Sequence, residues 1–154
     1  MIRSAQEQDA EALVQLINQA FLVERFFLDS DRIDLEQVRK FLKLGFFLIA
    51  EENDQPVACI YIEVRESRGY FGLLSVEPSR QRSGLGKRLI ATAEEYCREA
   101  GCAFMDLQIV DLRTELPPFY QKLGYIEEGT APFPADVATK LPCHFIKMSK
   151  GLSC

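Results

Sequence analysis

The segment between residues 70 and 110 most constrains what this chain can fold into. An apolar strand pattern, Tyr70 to Val76, ends at Pro78 and gives way to a loop carrying Arg80, Arg82, Gly84 and Gly86. An amphipathic stripe of Leu85, Leu89, Ile90, Ala93, Tyr96, Cys97 and Ala100 follows, and Gly101 stands where a helix C-terminal cap belongs. Cys102 to Val110 then reads as a second strand. A strand–helix–strand crossover joins parallel neighbours, so this sheet has at least one parallel pair.

The flanking segments add antiparallel structure. Phe46 to Glu51 is an apolar run, and Glu52 to Pro56 has turn chemistry. Val57 to Arg65 alternates, with Ala58, Ile60, Ile62 and Val64 on one face and Cys59, Tyr61 and Glu63 on the other. Arg68-Gly69 reads as the next turn. Upstream, a short strand at Ile2-Arg3 precedes a helix using Ala10, Leu13, Val14, Ile17, Ala20 and Phe21. Glu24 to Asp31 reads as loop, and Asp34 caps a second helix built on Leu35, Val38, Phe41 and Leu42. Downstream, Pro117-Pro118 opens a short helix through Leu123, closed by Gly124. Tyr125 to Glu128 and Cys143 to Lys150 read as strands, joined by a proline-bearing connection, 129–142, that forms a lid or wraps the surface. No repeat or linker interrupts the pattern. The expectation is one mixed α/β domain over residues 1–154.

Composition narrows the function classes. With 154 residues, 47% hydrophobic and 27% charged, the chain can bury a core without metals or disulfides. A net charge of −5 argues against a general nucleic-acid binder, which needs clustered excess cations. No apolar run approaches a membrane span, and the polar start Met1 to Glu7 lacks an export signal's apolar core. A soluble, cytoplasmic protein is expected. The five cysteines, Cys59, Cys97, Cys102, Cys143 and Cys154, contain no C-x-x-C pair and suggest reduced thiols rather than a disulfide framework or a metal site. Nothing local couples one of them to the single histidine, His144, as a nucleophile would require.

Chemistry concentrates in Val76 to Leu89. Amides at a helix start have no internal partners, and the helix dipole favours anions there. Gly84 and Gly86 allow close approach to the main chain, and Arg80, Arg82, Lys87 and Arg88 bring positive charge to an acidic protein. This is a cradle for phosphate or pyrophosphate. A glycine that merely starts a helix, beside a solvated basic face, is the plainer alternative. Neither common nucleotide fingerprint fits: G-x-x-x-x-G-K-[ST] is absent, and Leu89 replaces the third glycine of the dinucleotide pattern.

Val76-x-Pro78 followed by Gln81-x-x-Gly84-x-Gly86 resembles the acetyl-CoA signature of GCN5-related N-acetyltransferases. Pro118 to Tyr125, reading Pro-Phe-Tyr-Gln-Lys-Leu-Gly-Tyr, is similar to that family's second signature. The resemblance implies a central mixed sheet splayed at the cofactor slot, with about four flanking helices. It places the diphosphate of coenzyme A on the amides of Gln81, Arg82, Ser83, Gly84, Leu85, Gly86 and Lys87. The pantetheine arm would pair with main chain near Leu74, Ser75 and Val76, and the thioester would lie near Tyr120.

Acetyl transfer to a primary amine sets further demands. An amine of pKa ~10.4 is mostly protonated near pH 7, so a group must take its proton. Main-chain N–H groups on the Tyr70–Val76 strand would stabilise the oxyanion. The resemblance assigns Tyr120 as the acid for the departing thiolate, provided that the site lowers its pKa. Glu63 and His144 rank as base candidates ahead of Glu77. Arg113 and Leu116 depart from the family pattern, which often has Asn and a small residue there. The acceptor side offers Glu24, Arg25, Phe26, Phe27, Asp29, Asp31, Phe133 and Asp136. The reading is direct transfer from acetyl-CoA to a small-molecule amine, without metal, in a chain for which a homodimer is reasonable. A protein or peptide acetyltransferase and a non-catalytic acyl-CoA-binding module are the alternatives.

Overall fold

The computed structural model describes residues 1–152. Seven strands form one sheet: β1 (Ile2–Ser4), β2 (Phe46–Glu52), β3 (Gln55–Arg65), β4 (Arg68–Val76), β5 (Phe104–Val110), β6 (Ile126–Pro132) and β7 (His144–Gly151). Their order is β1-β2-β3-β4-β5-β7-β6. Four helices pack on it: α1 (Ala10–Ala20), α2 (Leu35–Leu44), α3 (Leu85–Glu99) and α4 (Leu116–Lys122). All pairings are antiparallel except β4 with β5, the pair joined through α3.

Alternation along β3 divides the core into two layers. Ala58, Ile60 and Ile62 face α3, packing with Leu89, Ile90, Ala93 and Cys97. Cys59 and Tyr61 face α1 and α2, packing with Leu13, Ile17 and Val38. Asp34 caps α2 as expected, accepting from the Gln37 amide at 2.8 Å while Gln37 returns a bond to the Asp34 amide. Burial of both sheet faces fixes its register, because a one-residue slip would exchange the two layers.

The parallel pairing is brief. Arg68, Gly69 and Tyr70 pair with Phe104, Met105 and Asp106, and beyond that point the two strands separate. A bulge between Cys59 and Tyr61 of β3 coincides with Leu73 of β4 at φ +52°, a conformation that a leucine adopts at a cost. The closed end of the split is clamped by Arg68, which donates twice to Asp106 at 2.7 Å and once to Ser149 of β7 at 3.0 Å.

Three local readings need correction. Arg68-Gly69 is not a turn; both residues lie in β4, and the turn falls at Glu66 and Ser67. Gly69 is small because α3 leaves no room: a Cβ there would meet Cys97 Sγ at 2.5 Å. Glu24 to Asp31 is not a plain loop, since Phe21–Phe26 forms a 3-10 turn whose Glu24 is buried. Finally, β6 runs on to Pro132, so the connection to β7 is shorter than 129–142.

Candidate active site

A cleft of about 1310 Å³ opens where β4 and β5 part. It extends from the start of α3, past Tyr120, to the segment joining α1 and α2.

At the first end, Gly84 precedes α3 at φ +86°, a left-handed conformation suited to glycine. The first amide bonded inside the helix is that of Arg88, to the Gly84 carbonyl at 3.0 Å, so the amides of Leu85, Gly86 and Lys87 have no intrahelical partner. No side chain caps them. A Cβ on Gly84 would have no atom within 4 Å, so the space over the loop is open. Gln81, Arg82, Gly84, Leu85, Gly86 and Lys87 line the cleft; Ser83 does not, and its hydroxyl turns to the Arg80 carbonyl at 2.5 Å. The cation set is smaller than the sequence suggests. Arg80 is engaged by Glu52 at 2.6 Å, whereas Arg82, Lys87 and Arg88 have no ion pair among the described residues.

The slot itself follows from strand alternation. The Glu77 amide bonds Val57 on β3, so the main-chain groups of Val76 and Leu74 point the other way, towards the gap. The Gln81 side chain uses one of them, donating to the Val76 carbonyl at 3.3 Å. Ser75 is turned out of the slot: it pairs with Cys59 of β3, and its buried hydroxyl donates to the Leu73 carbonyl at 3.0 Å. Leu74 and Val76 line the cleft, and Ser75 does not.

Tyr120 projects from α4 into the middle of the cleft, packed against Phe71, Phe119 and Tyr125. Its side chain is buried, yet its hydroxyl has no hydrogen-bond partner among the described residues. No buried, unpartnered side-chain oxygen or nitrogen occurs among the described residues, so this hydroxyl opens onto the cleft. The expected lowering of its pKa is overturned. Burial pushes the phenol above its ordinary value, and the Arg113 charge opposes that rise only partly.

The sequence-ranked bases lie elsewhere. Glu63 is outside the cleft lining; it accepts from the Tyr61 hydroxyl at 2.6 Å and pairs with Arg65, which holds its carboxyl below the usual range. His144 is half exposed at the start of β7, with Nδ1 3.5 Å from Asp111, and also lies outside the cleft. Glu77 does not line it either. Cys59 and Cys97 are buried with their thiols pushed up to about 12, so neither presents a thiolate at neutral pH. Cys154 lies outside the described residues. Among those described, no three metal-ligating side chains converge, and no helix is long and apolar enough to cross a membrane.

Glu24 instead occupies the far end of the cleft. It is 4% exposed, and Arg113 donates to its Oε2 at 2.8 Å. Burial raises its carboxyl pKa, with Arg113 and then Arg32 opposing. Sequence reasoning placed Glu24 on the acceptor side but missed Arg32, which lines the cleft from a segment with no periodic signal. Phe133 lines it too, whereas Asp29 and Asp136 do not. Above this end, Leu28 pairs with Thr139, and the Lys140 amide donates to the Phe27 carbonyl at 2.8 Å. Phe27, Leu28, Phe133, Val137 and Phe145 form an apolar cluster beneath these bonds.

The profile of the Acetyltransferase (GNAT) family matches residues 10–125. The N-acetyltransferase YhfO of Bacillus subtilis (strain 168), named as uncharacterized, is 29% identical over 139 residues, covering 82% of this chain and 90% of that protein. The "Probable glucosamine 6-phosphate N-acetyltransferase 2" of Oryza sativa subsp. japonica is 29% identical over 53% of this chain and 54% of its own. Two solved structures share the fold at low identity. The ribosomal-protein-S18-alanine N-acetyltransferase from Escherichia coli superposes with a TM-score of 0.78 at 17% identity, covering 100% of this chain and 94% of that one. The yncA protein of Salmonella typhimurium, solved with its cofactor acetyl-CoA, gives 0.75 at 20% identity, with the same coverages. Fold similarity over the full chain and a profile match over most of it lead to one assignment: the chain belongs to the GNAT family of acetyl-CoA-dependent N-acetyltransferases.

Proposed function

We propose that this enzyme transfers the acetyl group of acetyl-CoA directly to a primary amine of a small molecule. The observation that carries this reading is the roof over the far end of the cleft. The segment after α1 and the segment before β7 are joined by the Leu28–Thr139 bridge, the Lys140–Phe27 main-chain bond and a bond from Lys140 Nζ to the Arg25 carbonyl at 3.1 Å. A roofed pocket suits a compact acceptor; an extended peptide needs an open groove along the sheet.

The cofactor end fits acetyl-CoA on the chain's own chemistry. The amides at the start of α3, with Arg82 and Lys87, would hold the diphosphate. The main-chain groups of Leu74 and Val76 would hold the pantetheine arm as a neighbouring strand does. Once the thioester carbonyl is attacked, free N–H groups of β4 stabilise the oxygen on which charge develops. Tyr120 donates its proton to the departing sulfur. With a pKa above the ordinary phenol value it stays protonated throughout the neutral range but is a weaker acid than the lowered phenol expected from the sequence, and the Arg113 charge offsets part of that cost as the phenolate forms.

Glu24 takes the place of the base for which Glu63 and His144 were candidates. One of its oxygens is held by Arg113, and its raised pKa moves a carboxylate towards the range useful for accepting a proton. The test is acetyl transfer, followed as free thiol release, across small amines and amine-bearing peptides at matched concentrations. Small amines should be acetylated at higher kcat/KM. Preferential acetylation of peptides would overturn the proposal.

A further inference from the structure

The cleft contains a cation that the acetyl donor does not explain. Arg32 lines the cleft within reach of Glu24, on a different segment from the α3 loop whose Arg82 and Lys87 would face the cofactor phosphates. It makes no ion pair or hydrogen bond within the described residues; its guanidinium carbon lies 5.4 Å above the ring of Phe21. The one carboxylate whose charge reaches it, Glu24, is bonded to Arg113. Asp31 next to it pairs with Arg25 at 2.5 Å, and Asp34 is occupied in capping α2. Burial lowers the Arg32 pKa, and the Glu24 charge opposes that only through space, so the guanidinium is desolvated with no bonded partner among the described residues.

We propose that Arg32 binds an anionic group on the acceptor, making the preferred substrate a primary amine that also carries a carboxylate or a phosphate. This deepens the small-molecule reading above and rests on it. A planar guanidinium with free donors binds either oxyanion in bidentate fashion, and the adjoining Phe21 ring holds the fork in place. Glu24 lies within reach of the same charge, so one ligand can set its ammonium against Glu24 and its anion against Arg32.

The test is thermal unfolding of the full chain saturated with CoA, which first fills the α3 end. Inorganic phosphate or benzoate is then titrated against a chloride control of equal ionic strength. At least one anion should raise Tm saturably, by about 3 °C at tenfold saturation. Arg32→Gln should abolish that rise, and Arg32→Lys should retain part of it. A response to phosphate alone assigns a phosphate ester, and one to benzoate alone a carboxylate. The inference is overturned if neither anion shifts the wild-type Tm, or if Arg32→Gln responds like wild type. Absence of a Tm rise on adding CoA itself would instead count against the donor site.

Discussion

The Arg113 guanidinium donates to the Glu24 carboxylate at 2.8 Å, joining residues 89 apart and tying the start of α4 to the turn that follows α1. Both side chains are largely buried, at 15% and 6% exposure. Arg113 also bonds Glu115 at 2.8 Å and is the one charge that favours the ionised form of Tyr120. A residue that departs from the usual family pattern thus connects the acceptor end of the cleft to the proposed acid.

Removing Arg113 leaves Glu24 buried without a partner. Arg113→Leu should cost about 3–5 kcal/mol, whereas Arg113→Leu combined with Glu24→Gln should recover much of it. The pH dependence follows from the raised pKa of Glu24. Folded Glu24 binds its proton more tightly than in the unfolded chain, so its contribution falls as pH rises from the unfolded value through the folded one. Arg113 opposes that rise, so without it the window widens upward. Arg113→Leu should therefore regain stability relative to wild type as pH is lowered from 8 to 5. Chemical denaturation at several pH values measures this directly.

Tyr120→Phe removes only a hydroxyl that has no partner among the described residues, so stability should change by less than about 0.5 kcal/mol. Turnover should fall about 10²- to 10⁴-fold, with acetyl-CoA affinity unchanged. Because burial keeps the phenol protonated, the wild-type kcat should show no alkaline loss up to about pH 9. Equal turnover in Tyr120→Phe would remove the acid assignment.

Gly69→Ala tests the packing of α3 on the sheet. The added methyl would lie 2.5 Å from Cys97 Sγ, which should cost about 1–3 kcal/mol. In a Cys97→Ala background the Sγ contact is gone but the residue 97 Cβ still lies 2.9 Å away and Met105 Sδ 3.1 Å away, so the same substitution should cost less without becoming neutral. Urea unfolding of the four proteins closes the cycle. Additive effects would contradict the geometry.

How far the sequence could be read depends on how local the causes are. The strand–loop–helix from Tyr70 to Ala100 was legible because glycine, proline and a period of 3.6 act within a few residues. The sheet's mixed character followed from the crossover alone. What escaped was set by partners distant in sequence. The need for glycine at 69 comes from Cys97, the burial of Glu24 from Arg113, and the exclusion of Ser75 from the slot by its pairing with Cys59. Glu63 looked available because it shares a strand face with Tyr61, but that same neighbour and Arg65 occupy it. The direction of the Tyr120 pKa shift depends on burial by Phe71 and Tyr125, which no local pattern encodes.

The central claim is that the start of α3 and the gap beside β4 hold acetyl-CoA. Calorimetric titration of the full chain with acetyl-CoA tests it most directly, with NAD as a control and Gly84→Glu as the variant. The open space above Gly84 means that the variant folds, with only the strain of a side chain at φ +86°, roughly 1 kcal/mol. Saturable binding near one per chain, lost in Gly84→Glu and absent with NAD, is the predicted result. A folded wild-type protein that fails to bind acetyl-CoA, or a Gly84→Glu variant that binds it equally well, would contradict the account.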